Sequence, residues 1–168
     1  MSFWITVFNH KNIGKITTGK LLESVRESNL RTLCEQYGLD PALIDPAMAN
    51  FEVLSAPTAQ PIMVIKYRPE GERPVILYRW DTDSLAGADY IEKVVGEVTD
   101  PLVEQHLQKT SEVFGLELEE SNLGDMGLVL AYELARWLAF RGDGLILGLD
   151  SVWYQLNPHK AFIPLQQG

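Results

Sequence analysis

The first part of the chain combines one apolar strand with helical periodicity. Apolar side chains alternate and fill both faces over residues 3–8, which predicts an opening strand that is buried on both sides. Apolar residues at helical spacing then predict a helix capped by Thr17 or Thr18. A second helix is expected to begin at Ser28 and to end at Gly38, where a left-handed glycine commonly follows a helix.

The middle of the chain changes to strand-like patterning. Two Asp-Pro pairs, at 40–41 and 45–46, each predict an N-cap followed by proline at the first helical position. A strand is expected at 51–54. Residues 62–68 and 75–80 are rich in branched and aromatic side chains, and the loop between them begins and ends with proline. They predict a β-hairpin whose prolines lie at the strand ends, where a missing N–H donor does least harm.

The second half of the chain returns to helical spacing. Apolar positions over 85–98 predict one helix, and those over 101–114 predict another. Residues 116–119 alternate between leucine and glutamate, which indicates a short strand or an extended link. The stretch 123–141 is apolar almost all round, which is typical of a central helix that is covered on most sides.

The order of these elements predicts the fold class. A final hairpin of 145–147 with 152–156 completes the order strand, helices, strands, helices and strand pair. This order lacks the regular strand–helix alternation of a doubly wound parallel fold. The sequence therefore predicts a single α+β domain over 1–168, with a mostly antiparallel sheet packed by helices.

Composition and charge exclude several classes of protein. The chain is 46% apolar and 22% charged, which argues against disorder and against fibrous rods. Its net charge of −9 argues against a general nucleic-acid binder, which needs a basic surface. The single cysteine, Cys34, rules out an internal disulfide. The start shows no signal-peptide pattern, and the longest apolar stretch, 126–140, is interrupted by Glu133 and Arg136. We therefore expect a soluble, cytoplasmic protein with no membrane partner.

The excess negative charge is concentrated in one segment. Residues 1–80 hold nine basic and eight acidic side chains, whereas residues 81–125 hold two basic and twelve acidic ones. Residues 126–168 are balanced, with three of each. The ordinary interpretation of 81–125 is a solvated outer face that aids solubility. The alternative is an acidic docking face, because charge complementarity speeds association and selects partners.

The docking interpretation assigns specific residues to a basic protein partner. Glu117, Glu119 and Glu120 supply the negative charge. Trp153 and Tyr154 point to opposite faces of the last hairpin, so at most one belongs to the core and the other can anchor a partner. The sequence thus favours a non-enzymatic protein-interaction domain, of which an immunity or inhibitor protein is one form.

Asp81 and Asp83 suggest an alternative function. Two aspartates at i and i+2 directly after a strand can bind Mg²⁺, with one serving as a phosphoryl nucleophile. The five residues 81–85 resemble the first motif of haloacid-dehalogenase-like phosphohydrolases, which implies a small metal-dependent hydrolase. That family is a parallel doubly wound fold with its nucleophile near the start, whereas only 83 residues follow Leu85 here. The simpler interpretation is that Asp81, Asp83 and Ser84 cap the next helix.

The histidines and glycines carry no recognisable cofactor motif. His10, His106 and His159 have no metal-ligand spacing, although a site assembled in three dimensions stays open. His106 falls on an apolar stripe and is expected to be half-buried and hydrogen-bonded. The glycines at 142–144 link a helix to a strand, the reverse of the order in a phosphate loop, so they indicate a helix stop. We therefore expect no cofactor and no resident metal.

Three polar side chains interrupt the central helix. Glu133 and Arg136 are spaced to pair, and Tyr132 lies on nearly the same line as Arg136. If that line faces a cleft, the three form a small polar site with acid–base capacity. The favoured interpretation is that they form the solvent-exposed edge of a buried helix, because buried charges need partners.

Overall fold

The computed structural model describes residues 1–56, 62–69 and 73–165. The helices are α1 (Thr18–Arg26), α2 (Leu30–Gln36), a 3-10 turn (Pro41–Leu43), α3 (Ile44–Ala49), α4 (Leu85–Glu97), α5 (Pro101–Gln108), α6 (Glu120–Leu123) and α7 (Met126–Gly142). The strands are β1 (Ser2–Asn9), β2 (Glu52–Ser55), β3 (Met63–Lys66), β4 (Val75–Asp81), β5 (Glu112–Glu119), β6 (Gly144–Leu147), β7 (Trp153–Leu156) and β8 (Phe162–Pro164).

The strands form one eight-stranded sheet in the order β2-β3-β4-β5-β1-β6-β7-β8. The β1–β6, β2–β3, β3–β4, β6–β7 and β7–β8 pairings are all antiparallel. The predicted α+β class with a mostly antiparallel sheet is therefore confirmed. Within the described chain, no helix is both long and apolar enough to span a bilayer.

The residues group into two compact units. The first unit comprises Met1–Trp4, Lys15–Tyr78 and Leu116–Leu134. The second unit comprises Ile5–Gly14, Arg79–Gly115 and Ala135–Gly168. The expectation of a single domain over 1–168 therefore remains a prediction.

Both predicted hairpins are present. Strands β3 and β4 pair with Met63 opposite Leu77 and Ile65 opposite Val75, although residues 70–72 of their connecting loop lie outside the described chain. Strands β6 and β7 form the last hairpin, and the sequence did not predict the short β8 that pairs with β7.

The predicted helix over 101–114 is wrong in its second half. Helix α5 ends at Gln108, and β5 begins at Glu112 as an eight-residue strand instead of the short link at 116–119. Val113 and Phe114 fall at helical spacing from the apolar residues of α5. The pattern alone therefore predicts that the helix continues to 114. Residues 112–116 of β5 are all buried, so no polar alternation marks this part of the strand in the sequence.

The helix starts follow local capping chemistry. Thr17 caps α1 and Asp40 caps the 3-10 turn, each accepting a backbone N–H of the first turn, as predicted. The cap of α2 is Asn29 and not Ser28, because the Asn29 side chain accepts from a backbone N–H of the first turn. Asp45 lies inside the first turn of α3 and is not its cap, because α3 begins one residue earlier, directly after the 3-10 turn.

Helix α7 spans nearly the whole predicted central helix. It begins at Met126 and ends at Gly142, and most of its residues are buried. Asp143 adopts a positive φ of 52° and β6 begins at the next residue, which confirms the helix stop. A side chain at Gly142 or Gly144 would overlap the buried Asn9 side chain, so both glycines are required by close packing.

Candidate functional site

One face of β2, β3 and β4 is covered. Val53, Ile65 and Val75 lie directly opposite one another in register, and all three are buried. Residues directly opposite in antiparallel pairs share a face of the sheet. This row therefore places one side of the three strands in the core of the first unit.

The other face of the same strands is only partly covered. Leu54, Val64 and Ile76 form the neighbouring row in register, and Leu54 is 41% exposed while the other two are half-buried. Because adjacent strands lie about 4.8 Å apart, this apolar row is about 10 Å long.

An aromatic pair and a carboxylate extend the open face. Tyr78 follows Ile76 by two residues and therefore faces the same side of β4. Its ring centroid lies 5.2 Å from that of Trp4, which is 38% exposed. The Tyr78 hydroxyl donates to Oε1 of Glu117 at 3.3 Å. Six residues thus form what we call the open sheet face: Trp4, Leu54, Val64, Ile76, Tyr78 and Glu117.

Burial and the contact with Glu117 both favour the protonated form of Tyr78. Burial, followed by the negative charge of Glu117 and its hydrogen bond, raises the pKa of Tyr78 from its ordinary value of 10.0. The hydroxyl is therefore a hydrogen-bond donor at neutral pH. No basic side chain of the described residues forms an ion pair with Glu117.

The other two predicted glutamates are placed differently. Glu119 accepts a hydrogen bond from Arg73 at 2.7 Å, and its second oxygen lies 3.9 Å from the amino group of Met1. It also begins α6 through a reciprocal capping contact with Asn122. Glu120 is exposed. The charge of Glu119 is therefore already matched within the chain, whereas no basic side chain of the described residues forms an ion pair with Glu117 or Glu120.

The two candidate aromatic anchors also differ. Trp153 is 5% exposed, and its ring packs 5.2 Å from that of Phe8 in the core of the second unit. Tyr154 is half-buried, donates to Asp150 at 2.5 Å and contacts Phe162 edge-on. Trp153 is therefore the core member of the pair, and Tyr154 keeps exposed surface. The exposed tryptophan that sequence reasoning missed is Trp4, because a strand apolar on both faces shows no sign of which side is open.

The acidic segment 81–125 is divided between the two units at Gly115. The part of the segment in the second unit carries eight carboxylates, four of them on α4 and α5. Six of the eight are exposed and form no ion pair with any described basic side chain: Asp81, Asp83, Asp89, Glu92, Glu97 and Glu104.

Asp81 and Asp83 build the turn that leads into α4. The Asp81 carboxylate accepts the backbone N–H of Asp83 at 3.0 Å. Ser84 is the N-cap of α4: its hydroxyl accepts from the backbone N–H of Gly87 at 3.1 Å and donates to the Asp81 carbonyl at 2.5 Å. Over 1–56, 62–69 and 73–165, no three His, Cys, Asp or Glu side chains converge as a metal site. The local geometry is that of a helix start.

Two histidines that are remote in sequence stack on each other. The ring centroids of His10 and His106 lie 3.6 Å apart, and Nε2 of His106 donates to the Phe8 carbonyl at 2.8 Å. His10 approaches Asp143, with Nδ1 and Oδ2 3.8 Å apart. Burial first, and the nearby His10 second, lower the pKa of His106 to about 4, although the Phe8 bond opposes them. His106 is half-buried and hydrogen-bonded as predicted, and no sequence signal indicated the stack.

The polar residues of α7 are not a solvent-exposed edge. Glu133 is 7% exposed and accepts a hydrogen bond from the Ser28 hydroxyl at 2.6 Å. Tyr132 is also buried and stacks on Tyr37 with centroids 5.4 Å apart. The favoured interpretation is therefore wrong for these two, because the α1–α2 turn and the end of α2 cover them. Arg136 keeps partial exposure.

A second polar cluster in the first unit is structural. Tyr67 donates to Asp125 at 2.7 Å and accepts from the Asn122 amide at 2.6 Å, while Arg68 pairs with the same aspartate. Burial, and then the hydrogen bond to Asp125, raise the pKa of Tyr67. These groups hydrogen-bond to one another, so we assign the cluster a structural role.

Comparison with known proteins adds no information about function. The chain matches no protein-family model, no curated protein and no solved structure. What the protein does is therefore inferred from its own residues, and the open sheet face is their most distinctive exposed arrangement.

Proposed function

We propose that the protein is a non-enzymatic interaction domain that binds a basic protein partner through the open sheet face. The observation that carries this proposal is the apolar row Leu54–Val64–Ile76, which continues into an exposed tryptophan. Single exposed apolar residues are ordinary on protein surfaces. A contiguous apolar patch with a polar rim is typical of an interaction site.

The residue types suit an interface centre. Trp and Tyr are enriched among the residues that dominate binding energy, because they bury a large area and lose little conformational entropy. Trp4 and Tyr78 supply these two side chains, and Tyr78 is already held in place by its hydrogen bond to Glu117. At the margin, Glu52 lies opposite Lys66 in register and gives the face a charged rim.

Charge favours a basic partner. The chain carries a net charge of −9, and Glu117 lies within the open sheet face without a basic partner among the described residues. Exposed Glu120 adds a carboxylate in the same unit. Complementary charge speeds encounter and rejects acidic competitors. An immunity or inhibitor role toward a basic protein is one concrete form of this function.

Affinity capture with paired variants tests the proposal. Leu54→Asp places a charge on the open sheet face, and Leu85→Asp is the matched control on α4, where Leu85 is 80% exposed. We expect wild type and Leu85→Asp to retain the same basic protein from a lysate of the source cells at low salt. Leu54→Asp should reduce that capture about tenfold or more, because a buried unpaired charge opposes association.

Salt dependence provides the second arm. The retained protein should elute as ionic strength rises, because exposed charge pairs are screened over about 8 Å at physiological salt. Equal capture by wild type and Leu54→Asp, equal loss with Leu85→Asp, or retention of an acidic protein would each contradict the proposal.

A further inference from the structure

We infer that Trp4, Tyr78 and Glu117 form a subsite for one guanidinium group, an arginine side chain of the partner. This inference rests on the proposed function and deepens it, because it names the chemistry that the open sheet face recognises.

The three side chains supply the groups that bind a flat cation, two aromatic rings and a carboxylate. The rings of Trp4 and Tyr78 are tilted by 53° with centroids 5.2 Å apart, so they form a bent aromatic wall. The Glu117 carboxylate stands beside it, 3.3 Å from the Tyr78 hydroxyl. Tyr78 thus contacts both a second aromatic ring and a carboxylate.

Guanidinium matches this arrangement better than ammonium does. It is planar and weakly hydrated, stacks on Trp and Tyr rings, and donates two parallel hydrogen bonds to a carboxylate. Tyr78 donates to one oxygen of Glu117 only, so both oxygens keep lone pairs that can accept guanidinium N–H groups.

The three glutamates of β5 differ in whether a described arginine of the same chain pairs with them. Glu112 is paired with Arg79 at 2.6 Å, and Glu119 is paired with Arg73 at 2.7 Å. Each of these carboxylates therefore has an arginine from its own chain. Glu117 has a tyrosine hydroxyl and no described basic partner. A partner's arginine would complete the same pairing at the third glutamate.

The apolar row Leu54–Val64–Ile76 predicts which kind of side chain should lie next to that arginine in the partner. Strand β4, with Ile76, is adjacent to β5, and Leu54 on β2 lies three strand spacings from Glu117. At about 4.8 Å per spacing, the row extends to about 14 Å from the carboxylate. The partner segment should therefore carry apolar side chains on one side of its arginine.

Titration with a minimal probe tests the subsite by NMR. The probe is N-acetylarginine amide, and the signal is the indole N–H of Trp4, assigned by its absence in Trp4→Phe. We expect a saturable shift with a dissociation constant of about 1–20 mM, which is reasonable for a single exposed ion pair with cation–π stacking. N-acetylcitrulline amide has the same shape without the charge. Its dissociation constant, measured from the same signal, should be about tenfold higher.

Glu117→Gln and Glu119→Gln form the matched pair of variants. Both replace a glutamate on the same side of β5. Only Glu117→Gln should weaken binding of the arginine probe, by about fivefold or more in the dissociation constant. A wild-type shift that is equal for arginine and citrulline probes, or no shift at 100 mM probe (roughly five times the weakest expected constant), would overturn the subsite without reference to any variant. Equal probe affinity in Glu117→Gln and wild type would also overturn it.

The subsite and the proposed function can fail separately. If capture depends on Leu54 but the arginine probe does not bind, the subsite is wrong and the interaction function stands. If the probe binds with the expected selectivity but no partner depends on Leu54, the interaction function is wrong and the subsite stands.

Discussion

The two units treat aromatic strand residues in opposite ways. In the second unit, Phe8 is fully buried, stacks on Tyr90 of α4 and packs against Trp153. In the first unit, Trp4 and Leu54 keep roughly two fifths of their surface exposed to solvent. Similar residue types therefore contribute to a core in one unit and to an open face in the other.

This difference shows how a strand pattern can be ambiguous. An aromatic side chain on a strand stabilises the fold when a helix covers it, and it can contribute to association when none does. What distinguishes the two cases is the presence of α4 residues over Phe8, which is a property of tertiary packing and not of the strand itself.

The largest expected effect separates two of the three aromatic residues of β1, Phe8 and Trp4. Phe8→Ala should lower the free energy of unfolding by about 4 kcal/mol, because it removes a fully buried ring and leaves a cavity. Trp4→Ala should cost about 1 kcal/mol, because the side chain is partly solvated already. Urea unfolding of both variants measures the difference. Equal losses of unfolding free energy would contradict the distinction between a buried aromatic residue in the second unit and a partly exposed one in the first.

The next largest expected effect on stability comes from Gly87, near the start of α4. A Cβ at Gly87 would overlap the Asp81 carbonyl, so Gly87→Ala should destabilise the protein by about 2 kcal/mol. Gly96→Ala on the same helix is the control, because nothing lies within 4 Å of a Cβ there. It should be neutral or stabilising by up to about 1 kcal/mol. A thermal unfolding comparison in which the two alanines behave alike would show that α4 is not seated as described.

A comparable effect on stability depends on pH and comes from His106 of α5. Burial lowers the pKa of His106 to about 4 from 6.5, so between these values the unfolded chain binds the proton more readily than the folded one. Stability contributed by neutral His106 should therefore fall as pH falls from 6.5 to 4, by a loss on the order of 2 kcal/mol. His10 and Asp143 face the same ring and modulate its titration in opposite directions.

The His106→Gln variant isolates this contribution. Glutamine keeps an N–H donor for the Phe8 carbonyl but cannot titrate. The difference in unfolding free energy between wild type and variant should shrink as pH falls from 6.5 to 4. A difference that stays constant across this range would show that His106 is not buried in its neutral form.

The smallest effect on stability belongs to the open sheet face. Leu54→Asp should change the free energy of unfolding by no more than about 0.5 kcal/mol, because the side chain is exposed. Chemical denaturation together with capture should then show nearly unchanged stability and lost binding. A large loss of stability would mean that Leu54 belongs to the core of the first unit.

Much of the fold could be predicted from the sequence where one local signal dominates. The hairpin of β3 and β4 was predictable because branched residues flank a proline-bounded loop, and α7 because its apolar residues continue over four turns. The first half of β5 was misassigned because residues 112–116 are all buried and leave no alternation to detect, whereas the leucine–glutamate alternation over 116–119 indicated its second half. Local pattern identified α7 by the length of its apolar run and failed over 112–116, where no alternation marks the strand.

The candidate site was less predictable. Glu117 was predicted from charge alone, whereas its neighbours Trp4 and Tyr78 come from β1 and β4 and meet only in the folded chain. Glu119 was predicted equally, yet its charge is matched by Arg73. Pairing over long sequence separations leaves no local trace, so charge counts cannot tell an available carboxylate from a satisfied one.

Site-specific photo-crosslinking tests the central claim most directly. The photoreactive residue p-benzoylphenylalanine would replace Leu54 in one protein and Leu85 in another, since both positions are exposed and lie in different units. We predict that irradiation in a lysate of the source cells joins a basic protein to position 54 and leaves position 85 without that product. Cross-linking of the same protein from position 85, or none from position 54, would contradict the assignment of the open sheet face as the binding surface.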